Sequence, residues 1–220
     1  MSRFTTLHIL TICCLTFLCP SAKSAVMAGG SGSLTVTVDP GGSYDIAVAG
    51  ISWHFHGNVG YPLSNILVGS GSDGLGAYLE IGFDFPSDTG SQPATTRHAA
   101  IRSYSDHPDV LFTVSNAAAA ANTFKFPNFS QYPQNLDHLT FSGIFAPPTF
   151  SDFSNESPWV FFDSSFNTFI LSPATNFMAA STAWGPNKEL ASGIAPAISS
   201  LPQGFEHRTL LVIQQGINRA

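Results

Sequence analysis

His54-Phe55-His56 is the most metal-like feature of this chain. Residues two apart on a β-strand share a face, so both imidazoles can meet one ion. A cupin-like site would also need a glutamate a few residues after the second histidine. Here Gly57-Asn58-Val59-Gly60-Tyr61 follows, and no carboxylate occurs before Asp73. His98, His107, His138 and His207 fall in no short metal spacing. The pair is therefore expected to be exposed or hydrogen-bonded beside a core face of Trp53 and Phe55. No metal and no cofactor is expected.

Hydrolytic chemistry has little to work with. No G-x-S-x-G elbow is present. Gly69-Ser70-Gly71-Ser72-Asp73-Gly74 is glycine-rich but lacks the lysine of a phosphate loop, and it reads as a turn. Asp84/Asp88 and Asp106/Asp109 could in principle act as acid and base, but sequence does not place them a few ångströms apart, and turn residues account for them equally well. No catalytic residue is assigned. Sugar contact is the better-founded chemistry. A tryptophan face stacks on sugar C–H surfaces while Asp, Asn and His bond the hydroxyls. Trp53, Trp159 and Trp184 are the candidates; the alternative for each is a place in the core. Trp184 precedes Gly185-Pro186 and is expected at a loop rim.

Short strands must position these residues. Leu34, Val36 and Val38 alternate with Thr35 and Thr37, the pattern of a half-buried strand. Extended stretches follow at Tyr44–Ala49, Ile51–His56, Ala77–Phe85, Ala99–Tyr104, Val110–Ser115, Leu139–Phe145, Trp159–Asp163, Thr168–Leu171, Asn176–Ala183, Gly193–Ser199 and Arg208–Gln214. Turn signals separate them, among them Asp39-Pro40-Gly41-Gly42, Ser72-Asp73-Gly74 and Pro202-Gln203-Gly204. Five alanines at 117–121 are too few for a stable helix. Asn122–Asp137 reads as a long surface loop, and 25–33 as a flexible lead-in. The pattern suits one all-β sandwich over 34–215.

The first 24 residues read as a secretory signal. Arg3 gives the positive end, Leu7–Leu18 the apolar run, and Ser21-Ala22-Lys23-Ser24 a cleavage site; Val26-Met27-Ala28 is a second candidate site. The run is too short to span a bilayer, which takes about 20 residues. Cleavage would remove Cys13, Cys14 and Cys19 and leave a secreted, disulfide-free domain. The whole chain has 8 Lys+Arg against 14 Asp+Glu, a net charge of −6. Loss of Arg3 and Lys23 leaves 6 against 14, or −8. No basic face can follow a phosphate backbone, so nucleic acid is not an expected partner. In a eukaryotic source Asn128 and Asn155, each in an Asn-X-Ser triplet, would be glycosylation sites on surface loops.

Pro158-Trp159-Val160-Phe161-Phe162-Asp163, Asn167-Thr168-Phe169-Ile170-Leu171-Ser172-Pro173 and Asn176-Phe177-Met178 resemble the N-terminal domain of raffinose-synthase and α-galactosidase-like glycoside hydrolases. Leu201-Pro202-Gln203-Gly204-Phe205-Glu206-His207-Arg208-Thr209-Leu210-Leu211-Val212 is similar to the end of that domain in a large secreted family. The resemblance covers roughly 34–220. It implies an antiparallel β-supersandwich, galactose-mutarotase-like, packed beside a (β/α)8 barrel that carries the catalytic carboxylates. On that reading 216–220 is a linker truncated before the barrel. The chain is then a non-catalytic domain whose partner is the missing barrel, and an exposed apolar patch is expected where that barrel docks. The alternative is a stand-alone carbohydrate-binding module.

Overall fold

Alternation builds the first sheet. Leu34, Val36 and Val38 are fully buried while Thr35 and Thr37 face away, so β2 (Leu34–Val38) has one dry face. It pairs antiparallel with β1 (Ala25–Gly29) and β3 (Ser43–Val48), and β3 pairs with β4 (Trp53–Asn58). The β2–β3 connection is the expected turn. Asp39 accepts a hydrogen bond from the Gly41 N–H at 2.8 Å, and Gly42 takes a φ of 100°.

The computed structural model describes residues 23–29, 32–86, 95–120, 123–141, 145–146, 158–184 and 189–216. Its other strands are β5 (Ser64–Asp73), β6 (Gly76–Pro86), β7 (Thr96–Tyr104), β8 (Asp109–Asn116), β9 (Lys125–Gln131) and β10 (Asp137–Phe141). They continue with β11 (Phe145–Ala146), β12 (Trp159–Phe162), β13 (Thr168–Pro173), β14 (Ala180–Trp184), β15 (Leu190–Ile194) and β16 (Glu206–Gln214). One sheet runs β1-β2-β3-β4-β9-β15-β14 and the other β11-β10-β12-β13-β16-β8-β7-β6-β5. Every pairing is antiparallel. The fold is the expected all-β supersandwich.

Aromatic rings join the layers. Phe55 of β4 meets Phe169 of β13 edge-on with centroids 4.9 Å apart. Tyr44 of β3 and Phe126 of β9 both contact Phe112 of β8. Such edge-to-face pairs add to the area they bury, each by roughly 0.5–1.5 kcal/mol.

Three expectations need correction. Residues 25–29 are a paired edge strand, because Met27 buries itself against the core. Asn122–Asp137 is not a surface loop. Its Phe124, Phe126, Phe129 and Tyr132 are core rings, and β9 lies in the middle of a sheet. The proline that argues against a strand there sits at a register shift, where the ladder needs no N–H from it. Gly69–Asp73 is strand, and the turn falls on Gly74 and Leu75. Two boundaries also move. Asn176–Ala179 is a turn before β14, and β15 starts at Leu190 rather than Gly193.

Candidate functional site

The tryptophans go mainly to the core. Trp159 is 1% exposed and Trp53 is buried with its ring edge-on to Phe169. Neither offers a face to a sugar, which corrects the expectation for those two. Trp184 is half-buried at the end of β14. Its indole N–H donates to the Tyr132 hydroxyl, and His138, Trp159 and Phe161 meet its ring edge-on. Residues 185–188, the expected rim, lie outside the described residues.

The histidine pair has a partner that sequence distance conceals. Asp45 lies opposite His56 on the neighbouring strand β3. Its carboxylate is 3.1 Å from His54 Nδ1 and 3.9 Å from His56 Nδ1. No carboxylate follows the pair closely in sequence; one arrives by strand pairing. Among the described residues, no group of three or more His, Cys, Asp or Glu is arranged to hold a metal ion.

Two of the acidic candidates are held by histidines. Asp84 approaches His98 and accepts from the Asn65 amide at 2.7 Å. Asp88 lies outside the described residues. Asp109 is held by His107 at 2.9 Å. Burial pushes the Asp109 carboxyl up, and His107 opposes that shift. A Ser192–Thr209–His207 hydrogen-bonded line resembles a nucleophile set, but all three side chains are buried between the sheets.

A polar clamp closes the tip of the β5–β6 hairpin. The Arg102 guanidinium donates to Asp73 at 2.6 Å and to Glu80 at 2.7 Å. It also lies 3.7 Å above the centre of the Tyr78 ring. The Tyr104 hydroxyl donates to Asp73 at 2.9 Å. Desolvation works to raise the Asp73 pKa. Bonds from the Leu75 N–H, Tyr104 and Arg102 outweigh it and hold that carboxyl below its ordinary value. Burial first, and Asp73 second, push Tyr104 up to about 12. Each carboxylate here is engaged by Arg102, so the array fixes the hairpin and leaves no base for catalysis.

The strand behind that clamp is the feature that sequence reading misses. β5 ends its sheet, and its outer edge has no partner strand among the described residues. Nine of its ten residues are exposed. Leu67 is 70% exposed opposite Gly82, which gives it no side-chain neighbour, and Val68 is 54% exposed on the other face. Edge strands are usually guarded by lysine, proline or brevity. This one has ten residues, no lysine or proline, and a single charge, Asp73, already bound by Arg102; its irregularity is confined to a bulge between Ser64 and Leu67. Alternating Leu67 and Val68 within a glycine-rich stretch were the available signal.

The sequence matches no protein-family profile and no curated protein. The architecture has solved counterparts. A glycoside hydrolase family 97 enzyme from Pseudoalteromonas sp. strain K8, in complex with acarbose, superposes with a TM-score of 0.54 at 9% identity over 86% of this chain. An arginine-to-lysine variant of a family 97 enzyme from the same strain gives 0.53, again at 9% identity and 86% coverage. The fold is shared with glycoside hydrolases. At this identity the likeness concerns architecture alone. The chain spans 35% of the length of those enzymes, about a third.

Proposed function

We propose that this chain is a secreted, non-catalytic sandwich domain of a carbohydrate-active protein, which packs on and supports a catalytic barrel. The observation that carries the reading is the open β5 edge, which exposes Leu67 on one face and Val68 on the other and has no partner strand among the described residues. The shared architecture supplies the context, since in the family 97 enzymes the matched fold covers only 35% of the chain. The C-terminal motifs add the raffinose-synthase-type parentage and the barrel. The clamp contributes stiffness: Arg102 holds β5, β6 and β7 in one register, so the docking strand is presented rigidly.

The test places a photo-cross-linking residue at Leu67 in the secreted protein of the source organism. Cross-links to a glycoside-hydrolase barrel are expected, in the same polypeptide or a partner. The purified chain should hydrolyse none of a panel of glycosides. Cross-links confined to unrelated proteins, or turnover of any glycoside by the purified chain, would overturn the reading.

A further inference from the structure

The two sheets differ on the faces they turn away from the core. The seven-stranded sheet is polar there, with Thr37, Asp45 and His56 abreast across β2, β3 and β4. Its middle strands include β9 and with it Asn128, which corrects the expectation of a glycosylation triplet on a surface loop; Asn155 lies outside the described residues. The nine-stranded sheet is apolar there. Strand pairing sets Leu139, Val160, Ile170 and Val212 in one row across β10, β12, β13 and β16.

The row faces outward by alternation. Phe161, Phe169, Leu171, Leu211 and Ile213, neighbours along the strands, fill the core, so the row points the other way. None of its four members belongs to the core cluster or packs against it, and each keeps part of its surface exposed. Leu210 and Leu111, paired across β16 and β8, widen the stripe on the same face. The sequence carries the mark. Residues 159–162 and 210–213 are unbroken apolar runs, the pattern of strands covered on both faces. Every described strand lies in one of the two sheets, and the other sheet covers only the core face.

Shape and charge select the cover. Strands lie about 4.8 Å apart, so the run β10-β12-β13-β16-β8 spans about 19 Å. Along the strands the stripe is two outward positions deep, about 7 Å. Beyond it Thr168 and Gln214 lie on one side, and Thr113 and Arg208 on the other. One α-helix, about 10 Å across, covers that outline with about 13 residues. A second sheet needs a broader face. Asp109 ends the row opposite Val212, with His107 2.9 Å away, and Asp137 stands beside Phe162 at the other margin. Asp137 is exposed and enters no ion pair among the described residues. The arginines on this face are engaged, Arg102 by Asp73 and Glu80 and Arg208 by Glu206. The margins are therefore acidic, like the chain with its net charge of −6. They repel a second copy and an anionic membrane, and they favour a cationic partner.

We propose that the outer face of the nine-stranded sheet binds an amphipathic α-helix of a protein partner, about three to four turns long, with lysine or arginine flanking its apolar stripe. The apolar stripe lies on the row from Leu139 to Val212, and the flanking cations meet Asp137 and Asp109. This surface is separate from the β5 edge, and the inference needs no barrel.

Fluorescence anisotropy of a labelled peptide mixed with the full chain tests it. The probe is a synthetic amphipathic helix of about 14 leucines and lysines, compared with a leucine–glutamate counterpart and with phosphatidylcholine vesicles. The leucine–lysine helix is expected to bind at least about tenfold more tightly than the leucine–glutamate one. Val160→Thr combined with Val212→Thr keeps the β-branched shape and removes apolar surface. The pair should weaken the leucine–lysine helix by about tenfold, with the small change in melting temperature of a surface substitution. Asp137→Lys should weaken it by about threefold at low salt and leave it unchanged at high salt. Equal binding of the leucine–glutamate helix, or indifference to the double substitution, would overturn the proposal. Vesicle binding or self-association that is lost in the double variant would give the face to lipid or to a second copy, and would also overturn it. Should the double variant melt far below the native protein, Asp137→Lys decides alone, and an unchanged affinity at low salt then counts against the helix. The Leu67 cross-link reads the β5 edge separately.

Discussion

His207 shows how one side chain ties this fold to pH. It is fully buried on β16, with Thr209 Oγ1 3.3 Å from its Nε2. Burial lowers its pKa from 6.5 to about 4, and a backbone hydrogen bond involving Thr175 offsets only part of the shift. Between those values the unfolded chain takes up a proton that the folded chain refuses. Stability is therefore whole above pH 6.5 and falls as the pH drops toward 4. The slope is about 1.4 kcal/mol per pH unit, roughly 3 kcal/mol over the window. The lowered carboxyls, Asp73 and Asp163, titrate below this window, so they do not mask it. Urea midpoints measured from pH 7.5 down to 4.5 should decline in the native protein and much less in His207→Gln. Parallel declines in the two proteins would assign the pH dependence to other groups. Sequence alone marks His207 only as a histidine without a metal spacing. Its burial depends on β16 lying between β8 and β13, a pairing of residues far apart in the chain. The same holds for Asp45 beside the histidine pair and for Arg97 buried against Asn116 of the neighbouring strand. A charge or an imidazole carries no local mark of the strand that will lie across from it.

At the scale of elements, legibility follows the alternation of apolar residues. β2, β6, β12 and β16 alternate cleanly and stand close to where the pattern puts them. β9 is illegible for a physical reason: Pro127 and its polar neighbours imitate a loop, and the bulge that accommodates them, an extra β9 residue between Lys125 and Asn128, exists only against a partner strand that lies far along the chain. Gly193 is the residue that makes this possible. A Cβ there would collide with the Phe124 carbonyl oxygen and come within 2.8 Å of Lys125 Cα. Both obstacles are backbone, so no rotamer change relieves them. Gly193→Ala should therefore cost about 1–3 kcal/mol, the range of overpacked cores. The variant should also loosen hydrogen-exchange protection along β9 and β15. Gly69→Ala, on the exposed β5 with open space around its Cβ position, is the matching control and should leave both quantities unchanged. If Gly193→Ala melts with the native protein, β9 and β15 can part without penalty and the close approach is not needed. β5 escapes sequence reading for the opposite reason. Its glycines and serines carry no apolar face to read, and only Gly71 has a structural demand, since a side chain there would strike Tyr78 beneath Arg102.

At the scale of the molecule, an acidic protein carries an almost uncharged β5 edge on which Leu67 and Val68 are exposed. In the isolated chain an open edge of ten residues is a template for pairing with another copy. Repulsion between acidic molecules opposes that pairing and is screened by salt. Light scattering of the isolated chain should therefore rise with protein concentration, and more steeply at high salt. Leu67→Lys combined with Val68→Lys places two like charges on the edge without touching the buried core. Stability should then change by no more than about 0.5 kcal/mol, as for surface substitutions. Scattering at high salt should fall to that of a monomer. The Leu67 cross-link to a barrel should vanish when the photo-reactive residue is moved to Ser70 of the same variant. Both effects are required, because one surface serves self-pairing and docking alike. Unchanged scattering without the cross-link would show that self-association uses another face. A lysine-bearing edge that still reaches the barrel would show that docking does not run through β5.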